Sequence, residues 1–145
     1  MQGTVPPARS GPDAMTSFAQ ALTFFCTRDL EASARFYGAT LGFPVAMRTP
    51  TAILWRVTDT ACFGVTSGPG REPKAGAALF ELVTHVESEV GDWHRRIAAD
   101  GWQTDGAPRR VAGGVTCFFA TDPNGYLVEI LHFADPKALA AEVTP

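Results

Sequence analysis

Runs of a single charge are missing from this chain. Its 12 Lys and Arg against 15 Asp and Glu leave a net charge of −3, and the basic pairs Arg95-Arg96 and Arg109-Arg110 stand alone. With no stripe of cations to track phosphates, a nucleic-acid partner is not expected. Long apolar runs are missing too. No segment approaches the roughly 20 consecutive apolar residues that span a bilayer, so no membrane partner is expected either. Cysteine is scarce: Cys26, Cys62 and Cys117 are odd in number, widely spaced and without a CxxC pattern. That argues against a disulfide framework and against a cysteine zinc site. All three lie in apolar stretches, where a free thiol behaves as a small hydrophobe, and a reducing cytoplasm is the simplest setting. Residues 1–17 lack the basic start and apolar core of a signal peptide. With Pro6-Pro7, Gly11-Pro12 and many small residues, they read as a disordered lead-in. What remains, 18–145, suits a single domain. The 46% hydrophobic and 19% charged content is that of an ordinary soluble globular protein.

Within that domain the chain repeats itself. An apolar strand at 21–26 leads into Asp29 and a helix-like run at 30–41 that stops at Gly42-Phe43. A second apolar strand at 77–83 leads into a helix-like run at 88–100 that stops at Gly101-Trp102. Asp29 is placed to cap the first helix. Leu30, Ala34, Tyr37 and Leu41 recur at helical spacing, as do Val90, Trp93 and Ile97. Gly42 and Gly101 supply the left-handed residue that commonly ends a helix. Three strand-like runs follow each helix, at 43–47, 52–57 and 61–66 and then at 102–104, 114–121 and 126–133. Thr58-Asp59-Thr60 and Asp122-Pro123-Asn124-Gly125 form the turns between the last two of each set. The order is βαβββ twice, in modules of about 19–67 and 76–133, with a short helix expected at 136–143. The expected fold is α+β: paired βαβββ modules making a curved, cup-like mixed sheet with helices on its convex face.

The segment Phe24-Phe25-Cys26-Thr27-Arg28-Asp29-Leu30-Glu31-Ala32-Ser33, followed by Phe36-Tyr37 and Leu41-Gly42-Phe43, resembles the opening of the vicinal oxygen chelate superfamily, also called the glyoxalase/bleomycin resistance/dioxygenase superfamily. Asp122-Pro123-Asn124-Gly125-Tyr126-Leu127-Val128-Glu129-Ile130 resembles its closing signature, where an Asn usually stands in the place of Tyr126. The resemblance covers roughly Ala19 to Phe133. It implies lyases, isomerases, dioxygenases and thiol transferases that chelate substrate oxygens through a divalent metal, and also metal-free proteins that sequester drugs of the bleomycin type. It implies, too, a homodimer.

The metal ligands that the resemblance implies come from four strand positions facing the cup. Matched residue by residue, these fall on Leu22, near Phe63, near Ala78 and on Glu129, with Glu81 expected on the face opposite Ala78. One carboxylate among apolar residues does not hold a transition metal, which needs three or more convergent ligands. His85, His94 and His132 read as surface or packing residues. No metal and no other cofactor is therefore expected, unless the strand register differs from this one.

Strand alternation then predicts the lining. Phe24 and Cys26 follow Leu22 inward. Phe63 is expected opposite Arg56, with Leu54 alongside, and Phe80 beside Ala78. Glu129 is expected opposite Phe118, with Leu127 and Thr116 on the same face. This is an aromatic site with one acid and one base, suited to a flat hydrophobic ligand; equally, the aromatics are core. Glu129 either has its proton affinity raised by burial, and serves as acid or base, or pairs with Arg56 as a ligand anchor. The partnered role is the one expected, because buried carboxylates are normally paired. The leading expectation is a metal-independent small-molecule binding protein of the drug-sequestering type. The alternatives are a lyase, isomerase or cyclase using Glu129 as its catalytic residue, and a metal-dependent glyoxalase- or dioxygenase-like enzyme.

Overall fold

The computed structural model describes residues 19–135 and 137. The expected lead-in at 1–17 and helix at 136–143 lie outside the described residues. Two four-stranded mixed sheets carry the repeat. The first holds β1 (Thr23–Cys26), β2 (Val45–Thr49), β3 (Ala52–Arg56) and β4 (Cys62–Thr66) in the order β1-β4-β3-β2. The second holds β5 (Leu79–Val83), β6 (Arg109–Val111), β7 (Val115–Thr121) and β8 (Leu127–Phe133) in the matching order β5-β8-β7-β6. In each, the first strand lies parallel to the last and the remaining pairs are antiparallel.

Helix α1 (Leu30–Ser33) starts where Asp29 accepts a hydrogen bond from the Ala32 N–H at 2.9 Å. It continues as a π-helix (Ala34–Thr40), closed by Leu41 N–H to the Phe36 carbonyl at 3.0 Å. The wider turn brings both Phe36 and Tyr37 into the core, where a strict 3.6-residue period selects only Tyr37. Gly42 and Gly101, with φ of 77° and 86°, end the helices in the left-handed conformation. The second helix, α2 (Ser88–Ala99), buries Val90 and Ile97.

One strand falls elsewhere than expected. Residues 102–104 do not form β6; only a single bridge joins Thr104 to Ala120, and the edge strand is Arg109–Val111. Trp102 explains the difference. Its indole N–H donates to Thr40 Oγ1 at 2.9 Å and its ring stands edge-on to Phe36 at 5.1 Å, so Trp102 serves the helix contact, and pairing with β7 is limited to the two backbone bonds of Gln103 and Asp105 around Thr104.

The modules share one core. Phe36, Tyr37, Ile53, Trp55, Phe63 and Val65 come from the first, and Val90, Ile97, Phe118, Val128 and Ile130 from the second. A polar clasp joins them beside it. Tyr37 donates its hydroxyl proton to Asp122 Oδ2 at 2.7 Å, and Thr27 donates to Asn124 Oδ1 at 2.8 Å. Burial, reinforced by the Asp122 carboxylate, pushes the Tyr37 hydroxyl well above its usual value, so it stays protonated as the donor. The helices and the shared core cover one face of each sheet and leave the other open.

Candidate functional site

Which residues look out of the open faces is set by strand register, because side chains opposite each other in a ladder share a face. In the first sheet Trp55 pairs with Phe63, Leu54 with Gly64 and Arg56 with Cys62. Phe63 therefore faces the core and not the site, buried to 2% exposure. Phe24, Cys26, Leu54, Arg56 and Cys62 share the open face; a Cβ on Gly64 would lie 2.6 Å from the Phe24 ring, so that ring lies across the glycine. In the second sheet Glu129 pairs with Phe119 and not with Phe118. Phe118 is fully buried, Phe80 stacks on Phe63 at 4.4 Å, and Thr116 pairs with His132 on the core-side face. Phe63 and Phe118, expected in the aromatic lining, are thus core, and Phe80 is half-buried at its edge.

Both corrections have one cause. Each hairpin was expected to turn between two residues, and each turns about a single one. Val57 N–H bonds the Ala61 carbonyl at 2.9 Å, centring the first loop on Asp59; Asp122 N–H bonds the Tyr126 carbonyl at 2.9 Å, centring the second on Asn124. Gly125, at φ 86°, makes the latter a three-residue loop with a left-handed last residue. A one-residue change of register sends every side chain of the strand to the other face.

The open face of the second sheet carries a feature the sequence reading missed. Glu129 on β8 is in register with Glu81 on the parallel edge strand β5. Leu79 and Leu127 flank this pair on one side, Val83 and Leu131 on the other, and Phe119 extends the rung onto β7. Only 9% of Glu129 is exposed. Burial pushes its carboxyl above the usual range and the Glu81 carboxylate adds to this, while the Cys117 thiol, hydrogen-bonded to it, draws part of the shift back. Burial and Glu129 in turn push the Cys117 thiol up, leaving it protonated and a poor nucleophile. Arg56 is not the partner: it is exposed, on the other sheet, and donates to the Asp59 carbonyl at 3.3 Å. Arg109, whose charge also draws the Glu129 shift back, is paired with Asp105 at 2.8 Å.

Glu81 also lines a cleft of about 510 Å³ along the free edge of β5. Phe43, Phe80, Trp93 and Ile130 are among its apolar lining residues, and Cys62, Glu89 and His85 among the others. Of the ligand-lining residues expected from the sequence only Phe80 reaches it. The strict alternation of Leu79, Glu81 and Val83 with Phe80 and Leu82 was the available signal, because it groups Glu81 with the solvent-side residues of β5.

The four metal positions, moved onto the observed register, fall at Leu22, Cys62, Glu81 and Glu129 if the β1–β4 pairing is extended by one residue. Leu22 has no donor atom. Among the described residues no group of three or more His, Cys, Asp or Glu is arranged to hold a metal ion. His94 packs edge-on to Phe118, His132 lies beside the Thr84 carbonyl, and His85 is exposed. Cys62, Glu81 and Glu129 do carry donor atoms, and among the described residues they are not gathered into one group.

The carboxyl pair has a consequence for stability. A raised Glu129 pKa means that the folded chain holds its proton to higher pH than the unfolded chain does. The stability this contributes is present below the unfolded value and is lost as pH rises through the folded one. Glu129→Gln, which cannot ionise, is expected to gain on the wild type in thermal unfolding as pH rises from about 4 to about 8. Parallel pH profiles for the two proteins would show that Glu129 titrates as it does in the unfolded chain.

The chain matches the Glyoxalase/Bleomycin resistance protein/Dioxygenase superfamily over residues 18–130. Its fold is shared with a glyoxalase/bleomycin resistance protein/dioxygenase from Nocardioides, at a TM-score of 0.67 and 18% identity over 86% of this chain and 91% of that one. It is also similar to a lactoylglutathione lyase from Agrobacterium tumefaciens, at 0.66 and 17% identity over 80% and 95%. A bleomycin-binding protein complexed with bleomycin superposes at 0.61 with 23% identity over 79% and 98%. No curated protein matches the sequence. At these identities the structural likeness concerns the fold alone.

Proposed function

The chain belongs to the glyoxalase/bleomycin resistance protein/dioxygenase superfamily, and from that membership we propose that it is a metal-independent small-molecule binding protein, holding a hydrophobic or planar ligand as the drug-sequestering members do. The observation that carries this reading is the Glu81–Glu129 pair on an apolar open face, beside a cleft of about 510 Å³ walled by Phe43, Phe80 and Trp93. That volume is in the range of drug-sized sites, and aromatic walls with few polar points favour planar ligands. A reducing cytoplasm suits its three free thiols.

The binding unit is a homodimer. Leu22 and Phe24 on the first sheet and Leu79, Val83 and Leu127 on the second are large hydrophobics left between 37% and 49% exposed. They cluster on open faces and free strand edges, which a second copy covers.

The test is fluorescence titration with planar aromatic and glycopeptide antibiotics. Half-buried Trp93 lines the cleft whereas Trp55 is fully buried. Saturable quenching that disappears in Trp93→Phe, with binding retained by calorimetry, is the expected result. Flat titrations across the panel would overturn the reading. The raised proton affinity of Glu129 favours one alternative, a lyase, isomerase or cyclase using it as acid or base. In that case Glu129→Gln abolishes turnover and preserves binding.

A further inference from the structure

We propose that residues 13–18 of this chain dock as an added strand along the free edge of β5 and cover the cleft between the two modules. This goes beyond the binding role above. The segment and a planar ligand use the same aromatic wall, so a ligand enters the cleft by displacing the segment.

The receiving edge is defined by the ladder. β5 lies at the margin of its sheet and pairs with β8 alone. At its two ends the Ala78 carbonyl accepts from Leu127 N–H at 3.4 Å and Thr84 N–H donates to the Leu131 carbonyl at 2.8 Å. A parallel ladder alternates, so Ala78, Phe80, Leu82 and Thr84 turn their backbone groups to β8, and Leu79, Glu81 and Val83 turn theirs outward. Among the described residues no backbone bond from outside the sheet reaches those three. The edge has no Pro, no Lys and no bulge, and Leu79 and Val83 stay 47% and 49% exposed. An edge without such guards is a template for a further strand.

The cleft of about 510 Å³ runs beside this edge, with Leu41, Phe43 and the β3–β4 loop on one side and Phe80, Leu82 and Trp93 on the other. A groove of this kind takes an extended peptide: the edge supplies main-chain bonds and the apolar wall holds alternate side chains.

The chain itself arrives at this place. A second recess, lined by Ala21, Thr23 and Leu79, separates β1 from β5 and shares Ala61, Cys62 and Phe80 with the cleft. Gln20 donates its side-chain N–H to Cys62 Sγ at 3.5 Å. The first described residues therefore lie at the mouth of the cleft, and those just before them reach it without a linker. The direction fits as well. Thr27 donates to Asn124 at 2.8 Å and Phe25 meets Tyr126 at 4.7 Å, both just ahead of β8 and so level with the start of β5. Followed backward from Thr27 to Ala21, the chain runs from the start of β5 toward its end, and residues 13–18 carry on antiparallel to it. Extended, they span about 20 Å, enough to cover a five-residue strand.

Composition bounds the segment. Pro12 cannot donate to a ladder, whereas Asp13-Ala14-Met15-Thr16-Ser17-Phe18 holds neither Pro nor Gly and brings two large apolar side chains, Met15 and Phe18. A second copy laid on the open face covers the side chains of Leu79 and Val83; the edge amides, which lie in the plane of the sheet, stay available to the segment.

Amide exchange on the full-length chain, followed by NMR with no ligand present, tests this. The Glu81 and Val83 N–H groups are expected to exchange about 5–10-fold slower than unprotected amides, the scale of one net backbone hydrogen bond. Thr16→Pro/Ser17→Pro removes two successive donors, so one of them faces the ladder in either register. Both amides should then exchange freely, while Leu82 N–H, bonded to β8, keeps its protection and reports that the domain is folded. Free exchange of Glu81 and Val83 in the wild type would overturn the docking. Protection that survives the two prolines would overturn it too, and if that protection grows with protein concentration the edge belongs to a second copy. Because no ligand enters the measurement, either failure leaves the binding role standing, and flat antibiotic titrations would sink that role without touching the docked segment.

Discussion

Replacing Asp122 with alanine is expected to cost about 3–5 kcal/mol, placing it among the exceptional single substitutions. The residue is 3% exposed. Its carboxylate accepts the Tyr37 hydroxyl at 2.7 Å, the Asn124 N–H at 2.8 Å and the Tyr126 N–H at 2.9 Å. Two of these bonds shape the hairpin turn and the third crosses to the other module. Alanine strands three donors, each costing about 1–3 kcal/mol when left buried and unpaired; partial opening of the turn to water brings the sum down. Tyr37→Phe removes only the crossing bond and should cost about 1–2 kcal/mol. Urea unfolding of both single variants and the double should show a coupling above about 0.5 kcal/mol. A loss under about 1 kcal/mol for Asp122→Ala would mean that the turn, and with it the clasp between modules, is held by other contacts.

Phe63→Ala is expected to destabilise by a similar amount, about 3–5 kcal/mol, the range for emptying a large aromatic site in a packed core. Its ring meets Phe80 at 4.4 Å, Tyr37 at 4.7 Å and Phe25 at 4.9 Å. Because Phe80 comes from the second module, the cavity opens where the two halves join. Phe63→Leu should recover part of the loss. Arg56→Ala, exposed at the end of β3, should stay within about 0.5 kcal/mol of the wild type. The pair tests the register directly: had Phe63 lain opposite Arg56 on the ligand-facing side, its removal would weaken binding and leave stability almost unchanged. A neutral Phe63→Ala would therefore overturn the assignment of faces.

These two residues mark where the sequence was legible and where it was not. Asp122 lies in a turn whose composition announces it, and the hairpin formed there. Phe63 lies in a strand that was also recognised, but on the face opposite the expected one. The distinction recurs at Glu129. Its strand is legible; its expected partner, Arg56, is on the other sheet, and its neighbour is Glu81, expected on the opposite face.

Local chemistry accounts for what the sequence determined by itself: the βαβββ repeat, the Asp29 cap, the glycine stops and the turn at Asp122 to Gly125. Each depends on backbone preferences and hydrogen bonds within a few residues, which short stretches of sequence encode. Tertiary structure decided the faces, the shared aromatic core and the juxtaposition of Glu81 with Glu129. A strand's face depends on whether its hairpin turns about one residue or between two, and a parallel partner's register depends on a crossover through a whole helix. Neither quantity is carried by the residues of the strand itself, so the acids of this site become neighbours only when the second sheet is assembled.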